Sequence, residues 1–278
     1  MKFSLARQRF YQEIGQDEAQ ISLARAALYL AQEEYPDLDI EDYLNKLEAM
    51  AAQVREQLPA ELYPLRIIQT LNRYLYEDLG FSGNSESYYD PRNSFLNQVI
   101  DRRTGIPITL SLVYLEVAER IGFPMEGIGM PGHFLIRPVG EGMEIFVDPF
   151  HQGEVLFLED CRDRLSQLFG RAVELRPEYL EAVSPRYFLA RMLANLKAIY
   201  IQQEDLLRAL AAIERILLLF PDALMEQRDR GLLCFQLGRW VEARQDLETY
   251  LTAIPATAQD APTIRELLRQ IDENLPSM

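Results

Sequence analysis

Between Arg102 and Gly153 the chain spaces a set of side chains in the order that acyl-transfer chemistry requires. The turn Gly105-Ile106-Pro107 opens the apolar run ITLSLVYLEVAERI, which contains Thr109 and Ser111. His133 then enters the alternating segment HFLIRP, and Asp148 closes IFVD. A hydroxyl or thiol attacks a carbonyl when a base takes its proton, and a carboxylate that fixes the tautomer of the base supports that transfer. His133 and Asp148 fit the roles of base and orienter. Ser111 is the weak claimant for nucleophile: it lies one helical turn beyond Pro107, about 6 Å along the axis and away from the favourable end of the helix dipole, and it suits a packing role equally. Thr109 points elsewhere. Cys161 follows the strands, out of order for this arrangement, and reads as an inert, partly buried thiol; His151, in DPFHQG, reads as decoration of a turn. His133 and Asp148 also have structural readings, since such residues at strand ends often satisfy backbone groups.

Positioning these residues is the work of a helix and a small sheet. Pro107 starts a helix without losing a useful backbone donor, and the run behind it is apolar nearly all round, which predicts a central, buried helix packed on a sheet. HFLIRP and MEIFVDPF, separated by VGEG, read as an antiparallel hairpin that sets His133 beside Asp148, and GEVLFL reads as a third strand. Upstream, Ile21, Ala24, Leu28 and Ala31 recur at helical spacing up to Pro36. Asp39 caps a second helix with the stripe Leu44, Leu47, Ala51, Val54 and Leu58, and Pro59 and Pro64 bracket the turn into a third. Asp90-Pro91 reads as a cap followed by the first residue of a short helix.

The order RTGIPITLSLVYLEVAERIGFP, GHFLIR, FVDPF resembles the transglutaminase-like fold, and specifically the bacterial SirB-one family, in which that domain precedes tetratricopeptide repeats. PRNSFLNQVIDRRTGIPI also resembles a region of an animal F-box ubiquitin-ligase subunit. The resemblance implies a catalytic Cys at the start of the buried helix, a His on one strand and an Asp on the next. A helix N-terminus favours a thiolate, which is the physical sense of that placement. Carried onto this chain, His133 and Asp148 match the histidine and the aspartate, while Pro107 stands on the cysteine.

Farther on, an offset of 34 residues pairs Ala209 with Ala243, Ile213 with Leu247 and Pro221 with Pro255, the period of tetratricopeptide helix hairpins. Gly231, Gly238 and Ala243 read as small residues where paired helices approach, and Lys197 stands where Gly231 would in the first copy. APTIRELLRQIDENL supplies a closing helix. The formal charge of -15 repels phosphate backbones and anionic lipid, so neither nucleic acid nor a membrane surface is an expected partner. Two cysteines and two histidines give no disulfide framework and no metal-ligand spacing, so no metal or other cofactor is expected. The polar start of the chain and the want of a long apolar run fit a cytoplasmic protein.

The sequence therefore predicts an α+β protein. Residues 1–180 form a helix-rich transglutaminase-like (papain-like) domain with a small antiparallel sheet, and residues 181–278 an all-α repeat domain. Its expected work is recognition of a protein or peptide through the repeat groove and a cleft lined by Pro107, Ser111, His133 and Asp148. The alternative is an amide or ester hydrolase, or an acyl transferase, using His133 and Asp148 with Ser111 or water.

Overall fold

The computed structural model describes residues 4–140, 144–255 and 257–275. The chain divides into two compact units, one up to Met192 and one from Leu193 onward. The division expected from the sequence, after residue 180, precedes the helix in which this one falls.

The first unit begins with α1 (Leu5–Ile14), α2 (Leu23–Glu34), α3 (Ile40–Gln57) and α4 (Pro64–Asn72). Ala24, Leu28, Ala31, Leu47, Ala51 and Val54 are fully buried, which is the inward stripe that their spacing predicts; Leu44 and Leu58 are half-buried. Asp39 caps α3 by accepting from the amides of Glu41 and Asp42. Beyond α4 the backbone widens into one π-helical turn, Arg73–Asp78. The short parallel pair β1 (Ser82–Gly83) and β2 (Thr104–Gly105) encloses α5 (Leu96–Arg102). Asp90 caps the Pro91–Ser94 turn ahead of α5 through the amide of Arg92, as the Asp-Pro pair predicts.

Helix α6 (Pro107–Arg120) is the centre of this unit, with eleven of its residues buried. Each fully buried Leu, Ile or Val there contributes about 1.5–3 kcal/mol of transfer free energy, so this helix is held by packing on every side. It packs against α3, α5 and a sheet with the order β3 (Met125–Ile128), β4 (Leu135–Pro138), β5 (Phe146–Asp148), β6 (Glu154–Leu156), antiparallel throughout. The hairpin and the third strand are those the sequence predicts. Strand β3 is additional, formed by a segment too rich in glycine to signal a strand. The turn residues Val139 and Gly140 are described, whereas Glu141 and Gly142 lie outside the described residues. On the sheet's other side α7 (Leu158–Phe169) closes a core of Ile128, Met130, Leu135, Phe146, Cys161 and Leu165.

Helix α8 (Pro185–Gln202) leads on to α9 (Leu206–Leu219), α10 (Leu224–Gln236), α11 (Trp240–Ala253) and α12 (Ala261–Asn274). The 34-residue offset is visible as geometry: Ala209, Ala243, Ile213 and Leu247 are all 0% exposed. A Cβ on Gly231 would lie 2.8 Å from Leu247, so the small residue there does let α10 and α11 approach. Gly238 differs from its expected role. A Cβ there would meet only Trp240, at an ordinary 3.9 Å, and φ is +70°, so the glycine is needed for the turn rather than for close packing. Its counterpart one repeat earlier, Glu204, adopts φ +58° without being glycine. Lys197, opposite Gly231 in register, is held by Glu226 at 2.8 Å and Asp229 at 2.6 Å. Among the described residues no helix is long and apolar enough to cross a membrane.

Candidate functional site

His133 is delivered by the turn Met130-Pro131-Gly132-His133. Proline presets the second position, Gly132 takes φ +74° at the third, and the His133 amide donates to the Met130 carbonyl at 3.0 Å, which is a type II turn. The β4–β5 register, Ile136 opposite Val147, puts Leu135 opposite Asp148. Continued by two residues, it brings His133 to the same face as Asp148, one diagonal step away.

The two side chains meet. His133 Nε2 lies 2.8 Å from Asp148 Oδ2, with His133 4% and Asp148 0% exposed. An ionised carboxylate only accepts, so Nε2 carries the proton. Nδ1 of His133 has no hydrogen-bond partner among the described residues. The other carboxylate oxygen of Asp148 accepts from the amides of Phe150 and His151, at 3.1 and 3.3 Å. Burial by itself would raise the Asp148 pKa, but hydrogen bonds from His133 and His151 outweigh it and hold the carboxyl well below its usual range.

Two further residues belong to the cluster, and neither was singled out for it by the sequence. His151, read there as a turn residue, places Nδ1 2.8 Å from Asp148 Oδ2. Arg164 on α7 places Nη1 2.9 Å from the same oxygen and 2.5 Å from His151 Nδ1, and Nη2 2.5 Å from Glu154. Because guanidinium stays protonated, His151 Nδ1 either accepts from Arg164 or donates to Asp148, one at a time. The turn that carries His151 is built for close approach. Gln152 and Gly153 have φ +56° and +73°, and a Cβ on Gly153 would fall 2.1 Å from Asn72 Oδ1. Asn72 in turn donates to the Gly153 carbonyl at 2.7 Å and accepts from the buried Tyr114 hydroxyl at 3.0 Å. An open cavity of about 770 Å³, lined by Arg66, Asn72, Arg73, His151 and Glu154 among others, adjoins this turn.

None of the remaining sequence candidates makes a hydrogen bond with the dyad among the described residues. Pro107 is buried at the first position of α6, as expected. Ser111 is 0% exposed, and its hydroxyl makes no hydrogen bond, so it is not coupled to His133. Thr109 Oγ accepts from the Ile106 amide and donates to the Asn93 carbonyl, which caps its own helix. Cys161 is fully rather than partly buried, and burial pushes its thiol up to about 12, which leaves it protonated and inert at neutral pH.

One donor of each of His133, Asp148 and His151 lies within 4.8 Å of the others, a set able to hold a divalent cation. The guanidinium of Arg164 already supplies positive charge to the same carboxylate oxygen. A cation bound there would have to displace it.

Comparison with known proteins agrees with this architecture. The transglutaminase-like superfamily pattern matches residues 41–194, and a tetratricopeptide-repeat pattern matches residues 196–269. A UPF0162 protein of Xylella fastidiosa is 40% identical over 246 residues, 87% of each chain. One from Vibrio cholerae is 30% identical over 84% of this chain and 87% of its own. The human F-box only protein 21 is 32% identical over 190 residues, which are 64% of this chain but 29% of that protein. No solved structure matches. The chain thus belongs to the UPF0162 family, a transglutaminase-like domain followed by tetratricopeptide repeats.

Proposed function

We propose that this protein recognises a protein or peptide segment at the His133 cleft and along its repeats without turning it over, in a regulatory or assembly role. Tetratricopeptide repeats generally mediate contact between proteins, and the repeat pattern here covers residues 196–269. The observation that carries the rest is the state of the nucleophile. A base acts on a hydroxyl or thiol within about 2.6–3.2 Å, and among the described residues none makes a hydrogen bond with the His133 ring. Pro107 offers no nucleophile, Ser111 is isolated and Cys161 is a buried neutral thiol. A His133 ring held in place by Asp148, with an unused Nδ1, is suited to hold a ligand group.

The 2.8 Å His133–Asp148 pair also favours one second reading, a hydrolase in which His133 activates water on an ester or amide. Two measurements on the full chain separate the readings. In the first, the wild type and His133→Ala are assayed with activated ester and anilide reporters, and no His133-dependent turnover is expected. In the second, the immobilised full chain selects from a displayed random-peptide library, and enrichment is expected to be lost with His133→Ala. Turnover that falls 100-fold or more in His133→Ala would overturn the proposal.

A further inference from the structure

We propose that His133 Nε2, Asp148 Oδ2 and His151 Nδ1 form a site for one divalent transition-metal ion of the zinc type, and that Arg164 is the built-in cation such an ion displaces. The inference goes beyond peptide recognition and does not rest on it. The chain has two histidines among its 278 residues, and both lie 2.8 Å from the same oxygen, Asp148 Oδ2. The three donor atoms are within 4.8 Å of one another. Two imidazoles and one carboxylate are the donor set of zinc and iron(II) sites that keep open positions, whereas magnesium and calcium take oxygen ligands.

Nη1 of Arg164 marks the place where positive charge is wanted. It lies 2.9 Å from Asp148 Oδ2 and 2.5 Å from His151 Nδ1. When Nδ1 accepts from Arg164 it carries no proton, and its lone pair then stands 2.8 Å from a carboxylate oxygen. Two acceptors so close repel each other unless one cation serves both. The guanidinium does so with a single charge spread over three nitrogens, and it cannot accept the lone pair of His133. A divalent ion concentrates two charges at one point and accepts from all three donors. On binding, the Nε2 proton of His133 passes to Nδ1, which has no partner among the described residues, so the ring stays neutral and only its tautomer changes.

The surroundings provide for the exchange. Nη2 of Arg164 lies 2.5 Å from Glu154 Oε2, so the guanidinium keeps an ion pair as Nη1 withdraws. His133 and Asp148 are buried, but the His151 side chain is 45% exposed and lines the open cavity of about 770 Å³, which gives an ion its way in. The ligands are also held in orientation. Asp148 Oδ1 accepts from the amides of Phe150 and His151, which leaves Oδ2 directed at the cluster, and Asn72 ties down the turn behind His151. Hydrogen bonds of this kind to a ligating carboxylate are the usual outer support of a metal site.

Because these are the chain's only imidazoles, the ligands can be read directly. The full chain, labelled with ¹⁵N, is titrated with zinc chloride in a large excess of magnesium chloride, which occupies surface carboxylates. The histidine ring nitrogens are followed by long-range ¹H–¹⁵N correlation. Both rings are expected to change together and saturate at one equivalent, with His133 bound through Nε2 and His151 through Nδ1. In competition with a chelator, His151→Ala is expected to bind zinc at least tenfold more weakly and Arg164→Met at least tenfold more tightly than the wild type. An ion that perturbs one ring alone, or neither, would overturn the site, as would equal affinity in the wild type and Arg164→Met. Two rings, one ring and none are told apart in the wild type, whether or not a variant folds.

Discussion

Asp148 and Asp246 are both buried carboxylates facing arginine, and they are built in opposite ways. In the repeat unit, Arg230 grips Asp246 with Nε and Nη2, each 2.6 Å from a different oxygen. The charges cancel and the geometry closes on itself. In the first unit, three side chains and two backbone amides converge on the single carboxylate of Asp148. Each imidazole that spends one nitrogen there keeps another for use elsewhere. A closed bidentate pair fixes how two helices meet, whereas a convergent cluster holds side chains ready in a defined orientation. Both look alike in a count of buried charges. The difference lies in the donors left over.

The largest effect should come from breaking the convergent cluster. Asp148→Asn removes the charge and one of the two acceptor oxygens on which two histidines, an arginine and two amides converge, and is expected to cost about 3–5 kcal/mol at neutral pH, read as a fall in urea midpoint at unchanged slope. The pH dependence gives the sign independently. The folded carboxyl sits below its unfolded value, so its contribution is complete above the unfolded pKa of about 3.9 and is lost as pH falls from there toward the depressed folded value. The wild type should therefore lose stability below about pH 4 more steeply than Asp148→Asn. Parallel acid limbs in the two proteins would show that the cluster does not hold Asp148 ionised.

The closed pair should respond differently. Arg230→Met leaves Asp246 buried without its partner and is expected to cost about 2 kcal/mol, an amount already discounted because the arginine side chain is 34% exposed. Replacing both, Arg230→Met with Asp246→Leu, should restore stability to within about 1 kcal/mol of the wild type, since an apolar pair can fill a closed site. A thermal melt of the single and double variants decides it; a double variant as unstable as the single would mean the two regions are not distinct in kind.

Ser111→Ala should be close to neutral, or stabilising by up to about 1 kcal/mol, because it removes a buried hydroxyl that has no partner. It should leave peptide enrichment unchanged. A loss of binding at unchanged stability would place Ser111 back in the cleft with His133. The smallest change is expected in the repeats: Glu204→Gly relieves a left-handed backbone at the position where the next repeat has Gly238, a gain of up to about 1 kcal/mol in chemical denaturation.

Most of the architecture was written locally. The heavy apolar loading of α6, the 34-residue offset, the Asp39 and Asp90 caps and the β4–β5 alternation each depend on residues near in sequence, and the structure has them where the sequence put them. His133 and Asp148 were legible for the same reason, since adjacent antiparallel strands convert spacing into contact. Three features were not. His151 joins the cluster only because Gln152 and Gly153 turn back against Asn72, which comes from α4, some eighty residues earlier in the chain. Arg164 and Arg191 look like ordinary surface cations on α7 and α8, and nothing in their own helices says that one faces a carboxylate and the other only carbonyls. Periodicity fixes which face of a helix is buried, because that follows from 3.6 residues per turn. Which charge finds a counter-charge on that face is set by segments far apart in sequence, and so the carbonyl partners of Arg191 and the saturation of Asp148 belong to the tertiary structure alone.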